Sequence, residues 1–177
     1  MIGLLIIACE IGFWAFILLG LFFRYIANKK KISLFFLAAT PVLDLVLLIA
    51  TAIDLHNGAT ADTFHGLAAI YIGVSIAFGS RMIKWADVRF AHRFAGGPKP
   101  DKGPRYGKEH AKKEREGWIR HFAAWVIGAG LLAGLHLFIG DFERTQSLLR
   151  IASAWSIILA IDFIYSFSFT IFPKKTP

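Results

Sequence analysis

Five long apolar stretches, separated by shorter polar segments, make up most of the chain. They cover about residues 2–23, 32–53, 63–85, 118–140 and 147–172. About 20 apolar residues in an α-helix rise roughly 30 Å, which is the thickness of the hydrocarbon core of a bilayer. The pattern therefore predicts an all-α, polytopic membrane protein with five transmembrane helices in a single membrane domain, residues 1–177.

The longest polar segment, residues 86–117, separates the third apolar stretch from the fourth. Helical character is expected to continue from the third stretch to about Phe94, where Gly96-Gly97-Pro98 breaks it. Residues 108–116 are good helix formers and predict a short surface helix. At the other end of the third stretch, Asp62 is expected to cap the helix. The segment as a whole is expected to be a basic loop.

Charge indicates which side of the membrane this loop occupies. Of the 20 Lys and Arg residues, all but Arg144 and Arg150 fall in segments on the same side as the loop. Lys and Arg are enriched in cytoplasmic loops. We therefore expect a multi-pass membrane protein with its N-terminus outside, its C-terminus in the cytoplasm and a cytoplasmic basic loop.

Composition supports the membrane class and excludes others. The chain is 56% hydrophobic with a net charge of +8, and topogenic cytoplasmic charge explains this excess better than nucleic-acid binding does. One cysteine, Cys9, excludes an intramolecular disulfide. No GxSxG or GxxxxGK[ST] motif occurs, so no catalytic residue is predicted.

Polar side chains within the apolar stretches are the candidate chemistry. Glu10, Asp44 and Asp162 are expected near the bilayer midplane, where a charged group costs a few kcal/mol and usually faces the bundle interior. Helical spacing places other polar or aromatic residues beside them, and we expect these faces to converge. The predicted intramembrane polar site consists of Glu10, Asp44, Asp162, Tyr71, Ser75, Tyr165 and Trp14. The alternative is that the acids only select helix partners.

Two further groups are candidates for binding. His65 and His136 are expected at similar depth on neighbouring helices near the outer side. We interpret them as structural or interfacial histidines, with ligation of a metal or haem as the alternative, because no HxxxH, CxxCH or ExxH spacing supports a ligand site. No cofactor is otherwise predicted. Basic residues beside the bilayer suit anionic lipid headgroups on the cytoplasmic side, with solvated topogenic charge as the alternative. The lipid-contact candidates are Arg81, Lys84, Arg89, Arg93, Lys112, Lys113 and Arg120.

Small residues predict where helices approach closely. Gly130 and Gly134 in the fourth stretch, and Ala8 and Gly12 in the first, are spaced four residues apart. Such pairs let helix backbones pack tightly in membranes. We interpret them as packing surfaces within the bundle.

Several segments resemble a known family. They are residues 7–14 (IACEIGFW), 40–45 (TPVLDL), 65–74 (HGLAAIYIGV) and 82–87 (MIKWAD). These segments resemble the YmcC-like family of small uncharacterised integral membrane proteins, common in Bacillus-type bacteria. The resemblance implies a bacterial plasma membrane location and supplies no activity and no catalytic residues.

The first functional hypothesis is binding, or proton- or cation-linked transport, of a small solute through an intramembrane cavity lined by carboxylates; a homodimer is then expected, because five helices are few for a transporter. The second is an accessory or lipid-responsive subunit assembled with a membrane partner protein and without intrinsic activity. The third is a membrane redox or metal protein that uses the outer histidines.

Overall fold

A computed structural model describes residues 2–101 and 103–175, apart from six side chains in the first two helices: those of Ile2, Gly3, Ile6, Glu10, Pro41 and Asp44. The helices are α1 (Ile2–Tyr25), α2 (Lys30–His56), α3 (Thr63–Phe94), α4 (Gly107–Ile139) and α5 (Phe142–Ile171). All five are long and apolar enough to cross a membrane by length and composition. The predicted all-α fold with five spanning helices is confirmed.

The polar segment, residues 86–117, is mostly helical, and the loop within it is shorter than expected. α3 continues to Phe94, as predicted, and the expected surface helix forms the first turns of α4 rather than a separate element. Charged residues with long side chains are good helix formers, so both helices extend beyond the apolar stretches. Only residues 95–106 connect them, and Gly96 at φ 64° begins this connection.

Helix α3 is central in the bundle. It packs against α1, α2, α4 and α5, whereas α5 packs only against α3 and α4 among the described residues. The hairpins α1–α2 and α4–α5 make the most extensive contacts, together with α3–α4. This order follows from the short connections, which make sequence neighbours pack as antiparallel neighbours.

The backbones of α3 and α4 approach each other closely at Gly73. A Cβ at this position would overlap the carbonyl oxygen of Ala124 and would lie 3.1 Å from the nitrogen of Gly128. On α4, a Cβ at Gly128 would overlap the ring of Trp155. Only glycine fits such an approach of two backbones.

The packing role predicted for Gly130 and Gly134 is therefore wrong. Both are exposed, and nothing lies within 4 Å of a Cβ built on either. The spacing is real, but at 3.6 residues per turn both glycines lie roughly on the opposite face of α4 from Gly128, which is in contact with α3 and α5. On α1, Gly12 does face a neighbour, with Leu43 at 3.4 Å.

The basic segments meet at one end of the bundle, which we call the basic end. It comprises the α1–α2 connection, residues 95–106 and residues 172–175. Arg24 pairs with Asp87 at 3.5 Å, and the Gly107 N–H donates to the carbonyl of Lys174 at 2.8 Å. These contacts tie α1 to α3 and the start of α4 to the end of α5.

The opposite end is closed by Arg144, near the start of α5. Its guanidinium donates to the carbonyls of Leu55 and Ala59, and the Ala61 N–H donates to the Arg144 carbonyl at 2.8 Å. A buried apolar cluster lies beneath, containing Leu55, Ala61, Ala69, Leu132, Leu135 and Leu148. The α2–α3 connection is thus anchored on the α4–α5 hairpin.

Candidate functional site

A small cavity of about 110 Å³ lies where α1, α2 and α3 meet, and we call it the central cavity. Its walls are Cys9, Phe13, Trp14, Leu47, Tyr71, Val74, Ser75 and Met82. Tyr71 and Ser75 are one helical turn apart on α3 and so share a face. Three of the seven predicted site residues, Trp14, Tyr71 and Ser75, therefore come together here.

Glu10 and Asp44 are the remaining predicted site residues of α1 and α2. The side chains of Glu10 and Asp44 lie outside the described residues. Glu10 directly follows Cys9 in the chain, and Asp44 precedes Leu47 by three residues. Each is thus within one helical turn of a residue that lines the central cavity.

Asp162 belongs to a different site, between α4 and α5. Its Oδ2 lies 2.9 Å from Nδ1 of His121, and its Oδ1 accepts a hydrogen bond from Ser166 at 3.3 Å. The indole N–H of Trp155 donates to Nε2 of His121 at 3.3 Å. Because an indole N–H can only donate, Nε2 accepts and the proton is on Nδ1, which donates to Asp162.

The expected convergence of Asp162 with the residues of α1 and α2 is wrong. Within the described chain, the backbone of α5 packs against neither of those helices, because α3 and α4 lie between them. The hydrogen bond from Arg144 of α5 to Leu55 of α2 is at the other end of α5 from Asp162. Tyr165 does not line the central cavity either; it is 59% exposed and packs edge-on against Phe169. The polar faces therefore form two sites, one on each side of α3.

The two candidate metal ligands have separate partners. His65 is 2% exposed; its Nδ1 lies 2.6 Å from Oδ1 of Asp62, and its Nε2 lies 3.1 Å from Oδ2 of Asp54. Nδ1 of His136 lies 2.7 Å from the hydroxyl of Thr145. Among residues 2–101 and 103–175, no group of three or more His, Cys, Asp or Glu side chains is arranged to hold a metal ion.

His65 instead helps to begin α3. Asp62 is the N-cap, as predicted, and its carboxylate accepts the backbone N–H of His65 at 3.1 Å. In return, the Asp62 N–H donates to the His65 ring at 3.2 Å. This is a capping box in which histidine takes the place usually held by Glu or Gln. The contact with Asp54 joins the end of α2 to the start of α3.

A larger cavity of about 670 Å³, the basic cavity, lies at the basic end. It is lined by Arg81, Trp85, Arg89, His92, Lys99, Pro100, Asp101, Gly103 and Lys113. Three of the seven lipid-contact candidates, Arg81, Arg89 and Lys113, are in this group. Lys84, Arg93 and Lys112 are exposed elsewhere, and Arg120 lies 3.6 Å from Glu116.

Sequence reasoning did not select Lys99 or His92 for this cavity. The signal for His92 was available, because residues 81, 85, 89 and 92 follow one face of a helix at spacings of four and three. Lys99 could not have been found in this way, since it lies in the irregular connection, whose path the sequence pattern does not define.

The comparisons with known proteins agree with this architecture. The chain is 50% identical over 175 residues to the uncharacterized membrane protein YmcC of Bacillus subtilis strain 168. The aligned region covers 98% of this chain and 94% of that protein. The chain belongs to the YmcC family. No protein-family model matches it, and no solved structure matches it.

Membership of the YmcC family confirms the resemblance inferred from the sequence. The YmcC relative is a membrane protein by name, and all five helices here are apolar enough to span a bilayer. The chain is therefore a multi-pass integral membrane protein. The YmcC relationship indicates no activity, so any function has to be inferred from the residues of the cavities.

Proposed function

We propose that this protein binds a small polar solute or a cation in the central cavity, and that binding is linked to a proton or cation held by Glu10 and Asp44. The observation that supports this most directly is the meeting of Trp14, Tyr71 and Ser75, from two helices, at one cavity. A tyrosine hydroxyl, a serine hydroxyl and an indole N–H offer hydrogen bonds in an otherwise apolar wall.

The size of the cavity restricts the ligand. Its volume of about 110 Å³ leaves room for a small ligand only. A hydrated cation that has lost part of its shell, or a solute of a few heavy atoms, would fit. Carboxylates at membrane depth are costly and usually mark ion or proton pathways, and Glu10 and Asp44 are the two nearest to this cavity in sequence.

The single cysteine provides a test of binding. Cys9 lines the cavity, so the rate at which a small methanethiosulfonate reagent modifies it, followed by mass spectrometry, reports on occupancy. We expect Na⁺ or K⁺, added at constant pH, to alter this rate in the wild type. Glu10→Gln and Asp44→Asn should remove the response.

Asp162→Asn is the matched control, because it also neutralises a carboxylate within a helix but at the site between α4 and α5. It should respond like the wild type. A wild-type rate that does not change with either cation at constant pH would contradict the proposal, as would an unchanged response in Glu10→Gln and Asp44→Asn.

Transport requires a separate measurement. In proteoliposomes that contain a pH-sensitive dye, an imposed potential should drive proton movement through the wild type and the Asp162→Asn variant and not through Glu10→Gln or Asp44→Asn. Cation-dependent modification of Cys9 without any flux would limit the function to binding.

We also infer that the N-terminus lies outside, that the C-terminus is cytoplasmic and that the membrane is the bacterial plasma membrane. The gathering of the basic segments at one end of the bundle supports this orientation. Alkaline phosphatase should be active when fused after Gly58 and inactive when fused after Lys175. The reverse pattern would contradict the orientation.

A further inference from the structure

The basic cavity carries a large excess of positive charge. Four cationic side chains line it (Arg81, Arg89, Lys99 and Lys113), and Asp101 is the only carboxylate among its lining residues. The Asp101 carboxylate accepts the backbone N–H of Gly103 at 2.9 Å, which directs one of its oxygens to its own loop. A concave surface lined by one sign of charge attracts ligands of the opposite sign.

Three of the four cationic side chains have no acidic partner in the described part of the chain. Within the described part of the chain, no carboxylate lies within 4 Å of the charged nitrogens of Arg81, Arg89 or Lys99, whereas Arg24 and Arg120 each have an acidic partner. The guanidinium of Arg89 lies over the ring of Trp85, 3.8 Å from its centroid. This contact holds the guanidinium at the cavity wall.

An apolar groove begins where the basic cavity ends. Arg81 and Trp85 line both. The groove has a volume of about 370 Å³, and its other walls are Trp14, Ile17, Phe78, Met82, Ile83 and Ala86. A further cavity of about 230 Å³ shares Ile17, Met82 and Ile83 with it and reaches Ser75.

Together, the groove and the further cavity match one leaflet of a bilayer in length. From Ser75 to Trp85, α3 rises about 15 Å at 1.5 Å per residue. The hydrocarbon core is about 30 Å thick, so one leaflet contributes about 15 Å. A charged pocket at the interface, continued by an apolar groove one leaflet deep, has the shape of a lipid with an anionic headgroup.

We propose that the basic cavity and the groove together bind one anionic phospholipid. The phosphate lies among Arg81, Arg89 and Lys99, which are suited to phosphate oxygens, and one acyl chain lies along α3 between it and α1. Free phosphate has the same headgroup chemistry but would use only the basic cavity. The groove favours the lipid.

This inference does not rest on the function proposed for the central cavity. The lipid site depends on basic residues of α3 and of the 95–106 connection, whereas the central cavity depends on Glu10 and Asp44. The two sets of variants can therefore fail or succeed separately.

Native mass spectrometry of the purified protein tests the proposal. Phosphatidylglycerol is added and compared with phosphatidylcholine of the same chain length. We expect one tightly bound phosphatidylglycerol molecule. The affinity for it should fall about fivefold in each of Arg81→Gln, Arg89→Gln and Lys99→Gln. Arg93→Gln on α3 and Lys112→Gln on α4 are the matched controls, because they remove charge at the same end without lining the cavity, and they should change affinity less than twofold.

Two further arms separate the lipid from free phosphate. Ile83→Trp fills the groove and should weaken the affinity for phosphatidylglycerol at least fivefold. Inorganic phosphate at the same concentration as the lipid should not displace the lipid. Lys99→Gln lies outside every helix, so it remains informative if an α3 variant fails to fold.

Three results would overturn the proposal. The first is equal affinity for the two lipids. The second is equal weakening by the cavity variants and the Arg93 and Lys112 controls, which would indicate only diffuse attraction. The third is displacement of the lipid by inorganic phosphate together with no effect of Ile83→Trp, which would indicate a free-phosphate site.

Discussion

The Nδ1 of His121 lies 2.9 Å from Oδ2 of Asp162, and this contact joins α4 to α5. Both side chains are about a quarter to a third exposed, at 27% and 32%. The indole of Trp155 completes the arrangement from the other side of the imidazole ring. The histidine is thus fixed between a donor and an acceptor, and the carboxylate has a partner within the bundle.

We expect this contact to stabilise the α4–α5 hairpin by about 1 kcal/mol, which is within the range measured for polar contacts between membrane helices. A double-mutant cycle with His121→Ala and Asp162→Ala, measured by thermal unfolding in one detergent, should give a coupling energy of that size. Asp162→Asn should cost less than Asp162→Ala, because an amide oxygen can still accept from Nδ1. Tyr165→Phe, on an exposed position of the same helix, should be neutral. A coupling energy near zero would show that the contact contributes nothing.

Gly73→Ala should destabilise the protein by about 1–3 kcal/mol or more. The new methyl group meets the backbone of α4 at Ala124 and Gly128, and backbone atoms cannot rotate away as a side chain can. Gly130→Ala is the matched control on α4, since its methyl group enters open space; it should be neutral or stabilising by up to about 1 kcal/mol. Unfolding in the same detergent measures both. Similar midpoints for the two variants would contradict the assignment of the contact face.

These two predictions also show which features could be read from the sequence. Hydrophobic length alone gave the five helices, because a bilayer requires about 20 apolar residues per crossing. The N-cap at Asp62 could also be predicted, because it depends only on residues that are neighbours in the sequence. The contact at Gly73 could not be predicted, because the face of α4 that turns toward α3 depends on how the whole bundle packs. The GxxxG spacing of Gly130 and Gly134 does not contain that information.

The His121–Asp162 pair was missed although the sequence carried a signal for it. The two residues lie at nearly equal distances along the chain from the turn at Gly140 and Asp141, so an antiparallel hairpin places them opposite each other. The Trp125–Ser156 hydrogen bond follows the same register. The depth of each carboxylate in the membrane, taken alone, suggests a single cluster at the midplane. The actual neighbour of a carboxylate is determined by the register of the hairpin in which it lies.

Asp62 should make stability depend on acid pH. Burial raises the pKa of its carboxyl group, but the interaction with the His65 side chain and the hydrogen bonds from the backbone N–H groups of His65 and Phe64 outweigh that effect and hold the pKa below the ordinary value of 3.8. A carboxyl group with a depressed folded-state pKa stabilises fully above its unfolded pKa and loses this contribution as pH falls through the folded value. His65 is the titratable group that contacts Asp62, and Asp54 is the group that faces His65 from α2.

The wild type should therefore unfold at a higher temperature than Asp62→Asn at pH 6, and the difference should shrink below pH 4. Asp62→Ala should cost about 1 kcal/mol at pH 6, as expected for loss of an N-cap. Unfolding midpoints measured across this pH range test both statements. A difference between wild type and Asp62→Asn that stays constant down to pH 2 would contradict the role of the carboxylate.

The contacts of Arg144 also have a consequence for how the bundle is made. Its guanidinium reaches the carbonyl of Ala59, a residue 85 positions earlier in the chain, and Ser147 likewise donates to the carbonyl of Ala61. During synthesis, the first three helices are complete well before these donors exist. The α2–α3 connection therefore acquires its final hydrogen bonds only when the last helix enters the membrane, and biogenesis at this end of the bundle finishes with α5.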